Sequence, residues 1–416
     1  MKQPGMRYGL IGKTLSHSYS KAIHGFLGNR EYGLLELEPG AVGDFLRKAD
    51  FLGINVTIPY KETVMPYCVP DDAAKKIGCV NTIVNRNGNL YGYNTDYFGF
   101  LHMAKNANVI FRGKKVLILG SGGTSKTAAC VARDQNAGEI VIVSRGGENN
   151  YGNIDRHADT DILINTTPVG MFPDNGQAPV SLNCFANLSA VIDVVYNPMR
   201  TRLMLDARER GINTANGLVM LVAQALYAHN LFFGIENGDH ADGTKMHEQI
   251  CEVLSKAEKL FLNIVLIGMP GCGKTSLGKK LAELLEMDFV DTDIMIEEST
   301  GRKIPNIIDE DGEPFFRDLE RNVIARLAAK TRLVIATGGG SVLAKENRDA
   351  LLQNGTVVFL ERELGSLATE GRPLSVDLQG LYRRRQPIYE SLCHYKVNAD
   401  KGLHDALHKV AELLQG

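Results

Sequence analysis

The sequence predicts an α/β protein with largely parallel sheets, and three observations support this prediction. Short apolar runs alternate with amphipathic runs along all 416 residues, which is typical of strands that alternate with helices. The apolar run 116–119 leads directly into the glycine-rich segment 120–126, and a second apolar run, 264–267, leads into the glycine-rich segment 268–275. Strand, glycine turn and helix start follow one another in this order in open parallel sheets. The chain is long enough for two or three domains, each with its own core.

The predicted strands are short runs rich in Val, Ile and Leu, and the predicted helices are longer runs with apolar residues three or four positions apart. Strands are expected at 8–11, 34–37, 53–57, 116–119, 140–144, 162–165, 190–194, 264–267, 333–336 and 357–360. The pair Asn87-Gly88 between the runs 82–84 and 90–91 predicts a hairpin. Helices are expected at 20–28, 41–48, 96–106, 125–134, 217–232, 244–259, 276–286, 313–329 and 377–390. We predict a loop at 236–243 and the main domain boundary near Lys259.

Composition favours small molecules as partners. The formal net charge is −2 and no Lys/Arg run stands out, which argues against nucleic acid or an anionic membrane as a partner. The seven cysteines are scattered and never spaced as C-x-x-C, so neither a disulfide framework nor a zinc site is expected. The segment 1–12 lacks the pattern of a signal peptide, and no apolar run approaches the roughly 18 residues of a membrane helix. We expect a cytoplasmic protein and leave its oligomeric state open.

The first glycine loop has the build of a dinucleotide-binding turn. It presents backbone N–H donors and the positive end of a helix to a pyrophosphate. Ser125 replaces the third glycine of G-x-G-x-x-G, so the loop by itself is a weak signal. The next strand is followed by Arg145, at the place where NAD-binding chains usually carry an acidic residue and NADP-binding chains an arginine for the 2′-phosphate. A solvated surface charge is an equally good interpretation of Arg145.

Several polar segments stand at predicted strand ends or helix starts, where open α/β sheets bind ligands. They read HSYS at 17–20, NVTIPYK at 55–61, VNT at 80–82 and NTD at 94–96. Together with GLIG at 9–12, the loop at 120, NG at 216–217 and MLVAQ at 220–224, this series resembles shikimate dehydrogenase across about 6–259. The resemblance implies a substrate domain at 1–112, completed by 217–259, and an inserted Rossmann-like NADP domain at 113–216.

The resemblance also implies roles for individual residues. The catalytic pair is Lys61 and Asp96, and an ammonium held by a carboxylate can protonate the alkoxide that forms when a ketone is reduced. The implied substrate contacts are Ser18 and Ser20 for the carboxylate, Thr57, Asn81, Asp96 and Gln224 for the ring hydroxyls, and Tyr196. The implied NADP contacts are Gly120, Ser121, Gly122, Gly123, Thr124, Arg145 and Gly217. Gly146, Gly147 and Glu148 follow Arg145, where many relatives have a second basic residue.

The second glycine loop is a complete phosphate loop, GMPGCGKT at 268–275. Its backbone N–H groups would close round a triphosphate, Lys274 would reach the outer phosphates, and the Thr275 hydroxyl would ligate Mg²⁺. Further motifs follow: FVDTD at 289–293, FFRDLE at 315–320, ATGGG at 336–340, GRPL at 371–374 and RQPIY at 385–389. This series resembles shikimate kinase from about residue 261 to the end of the sequence.

That resemblance implies a kinase domain at 260–416 with a fold like that of nucleoside monophosphate kinases. ATP would be bound by Gly268, Gly271, Gly273, Lys274, Thr275 and Ser276, with Asp291 near the metal. Asp293 would deprotonate the accepting hydroxyl, and Arg372 would close on ATP from a lid. The acceptor would be held by Arg317, Arg385 and the backbone of Gly339 and Gly340. Helix capping is the alternative for Asp291 and Asp293, because a helical run follows at 294–298.

The sequence therefore predicts a bifunctional enzyme. It would reduce 3-dehydroshikimate to shikimate with NADPH and then phosphorylate shikimate to shikimate 3-phosphate with ATP and Mg²⁺. A regulatory or sensor protein that keeps both folds is the rival, and it predicts loss of at least one of Lys61, Asp96, Lys274 and Asp293, which are all present. A dehydrogenase half that uses quinate or NAD stays open.

Overall fold

The structure is a computed structural model, and it describes residues 6–16, 18–235, 244–367 and 378–415. Contacts divide the chain into two compact units, Met1–Glu258 (unit one) and Lys259–Gly416 (unit two). The predicted α/β architecture is confirmed in both units, since the described residues form sheets that alternate along the chain with helices. The further division of unit one at 112 and 216 stays a prediction.

Unit one begins with a mixed sheet. Its strands are β1 (Tyr8–Gly12), β2 (Tyr32–Glu36), β3 (Gly53–Val56), β4 (Val69–Pro70), β5 (Thr82–Arg86) and β6 (Asn89–Tyr93), in the order β2-β1-β3-β5-β6-β4. The helices are α1 (Ser20–Phe26), α2 (Val42–Lys48), α3 (Asp72–Ile77) and α4 (Thr95–Asn106). The antiparallel hairpin β5-β6 is as predicted: Asn87 and Gly88 both have the positive φ that its tight turn requires.

A second, fully parallel sheet follows in unit one. Its strands are β7 (Lys115–Leu119), β8 (Glu139–Val143), β9 (Ile162–Asn165), β10 (Ala190–Asp193) and β11 (Asn213–Asn216), in the order β11-β10-β9-β7-β8. The helices are α5 (Gly123–Asp134), α6 (Arg202–Glu209), α7 (Gly217–Phe233) and α8 (Thr244–Glu258). Since β7 lies between β8 and β9, the first glycine loop emerges where the strand order reverses, the usual ligand position in such sheets.

Unit two has one parallel sheet in the order β13-β14-β12-β15-β16. The strands are β12 (Asn263–Ile267), β13 (Asp288–Asp291), β14 (Leu333–Ala336), β15 (Gly355–Glu361) and β16 (Tyr395–Asn398). The helices are α9 (Lys274–Leu285), α10 (Thr292–Thr300), α11 (Ile304–Asp311), α12 (Glu313–Ala328), α13 (Lys345–Asn354), α14 (Leu378–Leu392) and α15 (Leu403–Gln415). All five residues of β12 are buried, so the phosphate loop leaves the middle of the sheet.

Several elements were absent from the sequence prediction, and all of them except α15 are short or polar. They are β4, β11, β13, β16, α3, α6, α11, α13 and α15. For example, β11 reads NTAN and has one apolar residue, and it becomes a strand through its parallel pairing with β10. The predicted loop at 236–243, the start of the last predicted helix at Asp377, and His17 lie outside the described residues.

Helices α4 and α7 approach each other closely at Gly99. A Cβ atom at Gly99 would lie 2.7 Å from the Met220 carbonyl oxygen and 2.9 Å from Gln224 Cβ. This contact matters for the site because α4 also carries Asp96 and α7 carries Gln224. The missing side chain at Gly99 therefore sets the distance between two predicted ligand-binding residues.

We predict that Gly99→Ala destabilises unit one by about 1 to 3 kcal/mol, the usual cost of overpacking, and weakens substrate binding because α7 must move away from α4. Gly25→Ala is the matched control: Gly25 also lies in a helix, but nothing stands within 4 Å of its added Cβ. Its helix should be unchanged or up to about 1 kcal/mol more stable. The unfolding temperature and the KM for the ketone substrate of unit one are measured for both variants. Equal unfolding temperatures and equal KM values for the two variants would contradict the prediction.

Candidate active sites

Unit one contains a cavity of about 800 Å³ where several strands and helices end. Its lining includes ten of the residues predicted from the sequence: Ser18, Ser20, Thr57, Lys61, Asn81, Asp96, Thr124, Tyr196, Gly217 and Gln224. Eight of these residues come from the loops after β1, β3 and β10 and from the starts of α1, α4, α5 and α7, whereas Asn81 directly precedes β5 and Gln224 lies in the middle of α7. Residues far apart in the sequence therefore share one concave surface.

Lys61 and Asp96 form an ion pair inside this cavity. Lys61 Nζ lies 2.5 Å from Asp96 Oδ2, and their side chains are only 17% and 10% exposed. Burial by itself would lower the pKa of Lys61, but the charge and hydrogen bond of Asp96, with a smaller effect of Cys79, outweigh burial and raise it. Lys61 is thus an ammonium at neutral pH and has a proton to give to a reacting oxygen.

The predicted hydroxyl-binding amides are oriented by internal hydrogen bonds. Asn81 Oδ1 accepts from the Thr95 backbone N–H at 2.7 Å and from the Thr82 hydroxyl at 3.1 Å. Gln224 Nε2 donates to the Leu221 carbonyl at 2.9 Å, and Gln224 Oε1 accepts from the Thr95 hydroxyl at 3.4 Å. Because the Asn81 oxygen is used inside the protein, its NH₂ group is left to donate to a ligand.

The glycine loop of unit one fits a pyrophosphate, and of its residues 120–126 only Thr124 belongs to the cavity lining. Gly120 has φ of +107°, and α5 begins after Gly122 without a side-chain cap, so its first N–H groups are free to bind an anion. A Cβ at Gly123 would come within 3.8 Å of Lys61 Cδ, which places the loop beside the ion pair. Of the predicted NADP contacts, Thr124 and Gly217 line the cavity, whereas Gly120, Ser121, Gly122, Gly123 and Arg145 do not.

Arg145 is exposed and follows β8, the strand beside β7. It thus lies at the same sheet edge as the glycine loop, where an arginine can reach the ribose end of a dinucleotide. Gly217 is constrained more strongly: a Cβ there would lie 1.9 Å from the Val194 carbonyl oxygen, so only glycine fits at the start of α7. Lys13 and Thr14 also line the cavity, and sequence reasoning gave neither a role.

Unit two contains a cavity of about 640 Å³ above the phosphate loop. Its lining includes these predicted residues: Gly271, Gly273, Lys274, Thr275, Ser276, Asp291, Asp293, Arg317, Gly339, Gly340 and Arg385. Gly268 is not part of the lining. Its φ is +143°, and the backbone of β15 packs against it. Arg372 lies outside the described residues.

Lys274 forms hydrogen bonds to the backbone of the phosphate loop to which it belongs. Lys274 is 7% exposed, and its Nζ donates to the carbonyl oxygens of Gly268 at 2.9 Å and Met269 at 3.0 Å. Thr275 Oγ1 donates to Asp291 Oδ2 at 2.7 Å. These two oxygen ligands suit Mg²⁺, which usually takes few protein ligands and keeps water and substrate phosphates in its other positions.

The two carboxylates of the FVDTD motif differ in their partners. Asp291 caps α10, since its Oδ1 accepts from the N–H groups of Asp293 and Ile294, while its Oδ2 contacts Thr275. Asp293 caps nothing: its Oδ1 is buried and has no hydrogen-bond partner. Burial, with the nearby charges of Asp291 and Glu320, raises the pKa of Asp293 to about 6. Asp293 is therefore equipped to accept a proton near neutral pH.

Two arginines form the cationic end of the same cavity. Arg317 donates from Nη1 to Glu320 Oε2 at 3.0 Å and from Nη2 to Glu313 Oε1 at 2.9 Å. Its guanidinium lies over Gly340, where a Cβ would stand 2.7 Å from Nη2. Arg385 is 5% exposed. Glu320, which is 1% exposed and orients Arg317, is a functional residue that sequence reasoning missed; its place one turn after Arg317 on α12 was the available signal.

Fold and sites together define a protein with a dinucleotide-dependent reductase site in unit one and a phosphate-loop phosphotransferase site in unit two. Residues 10–83 match the shikimate dehydrogenase substrate binding domain family, and residues 270–415 match the shikimate kinase family. Shikimate dehydrogenase (NADP(+)) of Clostridium beijerinckii is 38% identical over 245 residues, which are 54% of this chain and 91% of that protein.

Solved structures are similar to unit one. A chorismate mutase/shikimate 5-dehydrogenase fusion protein from Clostridium acetobutylicum is 32% identical with a TM-score of 0.55, and the match covers 61% of this chain and 96% of that chain. Shikimate 5-dehydrogenase from Thermus thermophilus, in complex with NADP(H) and shikimate, is 27% identical with a TM-score of 0.52, covering 60% and 99%. The chain belongs to the shikimate dehydrogenase family, and its C-terminal unit is a shikimate kinase domain. The predicted fold class, with its Rossmann-like and phosphate-loop parts, is confirmed.

We predict that Asp293→Asn stabilises unit two above pH 6. A folded pKa raised from 3.8 to about 6 means that the carboxylate is penalised in the folded state, by at most about 3 kcal/mol once the pH exceeds both values. The gain should shrink as the pH falls below about 6 and vanish only below 3.8, where the carboxyl group is protonated in both states.

Calorimetry at pH 7.5 and pH 4.5, with ADP added to identify the transition of unit two, measures this gain. Asp288→Asn is the control, because Asp288 is exposed at the start of β13 and should change stability by less than about 0.5 kcal/mol. A gain for Asp293→Asn that is equal at both pH values would count against a buried, penalised carboxylate.

Proposed function

We propose that unit one reduces 3-dehydroshikimate to shikimate with NADPH and that unit two phosphorylates the 3-hydroxyl of shikimate with ATP and Mg²⁺. The observation that carries the proposal is the pair of reacting groups in the two cavities. The cavity of unit one holds the paired ammonium of Lys61, which can donate a proton, and the cavity of unit two holds the unpartnered carboxylate of Asp293, which can accept one. A coupled assay that supplies 3-dehydroshikimate, NADPH and Mg-ATP to the purified chain tests it through the formation of shikimate 3-phosphate.

In unit one, the substrate ketone is placed against Lys61. When bound, NADPH would supply a hydride to the carbonyl carbon; as the C=O π bond opens, the oxygen takes a proton from Lys61 Nζ. Asp96 stabilises the ammonium before the transfer, and water restores the lost proton. The hydroxyls of Ser18 and Ser20 hold the substrate carboxylate. Thr57, Asn81, Asp96 and Gln224 bind the ring hydroxyls, with Tyr196 on the wall of the cavity.

In unit two, the 3-hydroxyl of shikimate gives its proton to Asp293, and its oxygen forms a bond to the γ-phosphorus while the bond to the ADP oxygen breaks. Lys274 and Mg²⁺, held by Thr275 and Asp291, would neutralise the charge that develops on the phosphates. Arg317 and Arg385 bind the acceptor carboxylate beside the N–H groups of Gly339 and Gly340. We also propose that Arg372 closes on ATP.

The product of the first reaction is thus the acceptor of the second. We propose the same domain limits as the sequence indicates: 1–112 with 217–259 for substrate, 113–216 for NADP and 260–416 for the kinase. The rival, a regulatory protein without turnover, is disfavoured because Lys61 and Asp96 keep their contact and Lys274 and Asp293 both line the second cavity. Quinate or NAD as substrates of unit one would be revealed by comparing rates across both substrates and both cofactors.

We propose that the chain works in the cytoplasm on small molecules. All seven cysteines are unpaired, as is usual in a reducing compartment. Within the described residues, no helix is both long enough and apolar enough to cross a membrane. The net charge of −2 gives no attraction for nucleic acid.

We predict that the two activities are separable, because each unit holds its own reacting groups. Lys61→Ala should abolish ketone reduction and leave shikimate phosphorylation near the level of the unchanged protein. Asp293→Asn should abolish phosphorylation and leave reduction near normal. Each variant is the folding control for the other, and loss of both reactions from one substitution in a folded chain would refute the model of two independent sites.

We predict that Arg145→Ala lowers kcat/KM for NADPH by roughly ten- to a hundredfold and leaves NADH almost unaffected. A hydrogen bond to a charged group contributes on the order of 1.5 to 3 kcal/mol, and about 1.4 kcal/mol is tenfold in rate. Because Gly146, Gly147 and Glu148 supply no second cation, little preference for NADPH should remain. An unchanged ratio of the two kcat/KM values would mean that Arg145 is a solvated surface residue.

A further inference from the structure

The cavity of unit two is also lined by Arg362, which has no role in the reaction described above. Its Nε atom is buried and has no hydrogen-bond partner, and the side chain forms no ion pair with the described residues. Buried polar groups are nearly always hydrogen-bonded, so an unpartnered guanidinium N–H in a cavity indicates a missing partner. We propose that Arg362 binds the phosphates of ATP from the β15 side of the phosphate loop. This inference rests on the proposed binding of ATP to unit two.

The position of Arg362 follows from the sheet. Strand β15 pairs with β12, with Phe359 opposite Ile267, so both strands end at the same edge. The Leu360 carbonyl oxygen is so close to Gly268 that a Cβ there would lie 2.5 Å from it. Arg362 directly follows the last residue of β15, Glu361, and lines the cavity beside the phosphate loop.

Asp400, a carboxylate whose pKa responds to the charge of Arg362, forms no ion pair with it among the described residues. Asp400 Oδ1 accepts from the Glu363 backbone N–H at 2.9 Å, and Asp400 Oδ2 accepts from Asn398 Nδ2 at 2.8 Å. Those two hydrogen bonds, and to a lesser extent the charge of Arg362, lower the pKa of Asp400. Each carboxylate oxygen thus accepts from another group, and Arg362 affects Asp400 through its charge without forming an ion pair with it. No hydrogen bond among the described residues uses the guanidinium of Arg362 as donor, so Nε is available to a ligand.

Charge on the cavity wall points to an anion as that ligand. Of the other cations there, Arg317 is already paired with Glu313 and Glu320, and Lys274 is bound to backbone carbonyls. Asp291, Asp293, Glu297 and Glu320 line the same cavity and would repel a polyphosphate. Arginine matches phosphate oxygens with two parallel N–H donors, so Arg362 supplies both the charge and the geometry that a triphosphate needs.

The test compares Arg362→Gln with Arg326→Gln in the full chain. Arg326 is an exposed arginine of α12 outside the cavity lining, so its variant controls for loss of one positive charge. Arg362→Gln should raise the KM for ATP roughly ten- to a hundredfold, with kcat and the KM for shikimate within about twofold of the unchanged protein. Arg362→Lys should recover part of the loss, and ketone reduction in unit one should be unaffected in all three variants.

Calorimetric titration with ADP, AMP and adenosine locates the contact. A phosphate contact predicts a loss of affinity in Arg362→Gln that is large for ADP and absent for adenosine. An equal loss for adenosine would overturn the phosphate assignment, and an unchanged KM for ATP would overturn the inference altogether. If the unchanged protein does not phosphorylate shikimate, the proposed function is wrong. If the unchanged protein and Arg362→Gln both phosphorylate shikimate normally, only the proposed role of Arg362 is wrong.

Discussion

Both active sites depend on a charged side chain that is held out of water where strands of an α/β sheet end. Removing a charge from water disfavours its charged form, and the neighbours decide the outcome. In unit one the opposite charge of Asp96 overcomes burial, so the pKa of Lys61 rises and the lysine keeps its proton. In unit two the like charges of Asp291 and Glu320 add to burial, so the pKa of Asp293 also rises, and here the carboxylate becomes a better base. The same direction of shift thus produces a proton donor in one site and a proton acceptor in the other.

Buried hydrogen-bond networks orient other residues that line the two cavities. In unit one, a buried chain of hydrogen bonds runs from the Tyr32 hydroxyl to Asn55 at 2.7 Å and from Asn55 to the Thr82 hydroxyl at 3.0 Å. Thr82 then contacts Asn81, which lines the cavity. In unit two, Glu320 is hydrogen-bonded to both Arg317 and the Ser341 hydroxyl, so the acceptor-binding arginine has one orientation. Fully satisfied networks of this kind give a cavity its shape as well as its charge.

The sequence predicted what short motifs can encode, namely the strand-to-loop junctions and the residues within them. Apolar runs such as β12 were clear, whereas β11 and β13 were missed because their polar residues become strands only through pairing with neighbours. Asp291 caps α10 through Oδ1, as one interpretation predicted, and its role at a metal site stays a prediction that this cap permits, because Oδ2 contacts Thr275 instead. Lys13 and Arg362 could not be assigned from sequence, because what marks them is their place on a cavity wall.

The two glycine loops have similar backbone geometry but differ in their charged residues, and the chemistry of the ligand explains the difference. Each leaves a central strand, β7 or β12, and each leads into a helix without a side-chain cap. The second loop places Lys274 at the first residue of α9, with its Nζ on the loop backbone, whereas Lys126 of the first loop lies at the fourth residue of α5 and pairs with Glu62. A dinucleotide keeps its pyrophosphate unchanged while it transfers a hydride, so backbone N–H groups suffice to bind it. In phosphoryl transfer, by contrast, charge develops on the bound phosphates themselves. A cation on the loop therefore stabilises the transition state more than it stabilises the bound substrate. The lysine is therefore needed where the phosphate bond breaks.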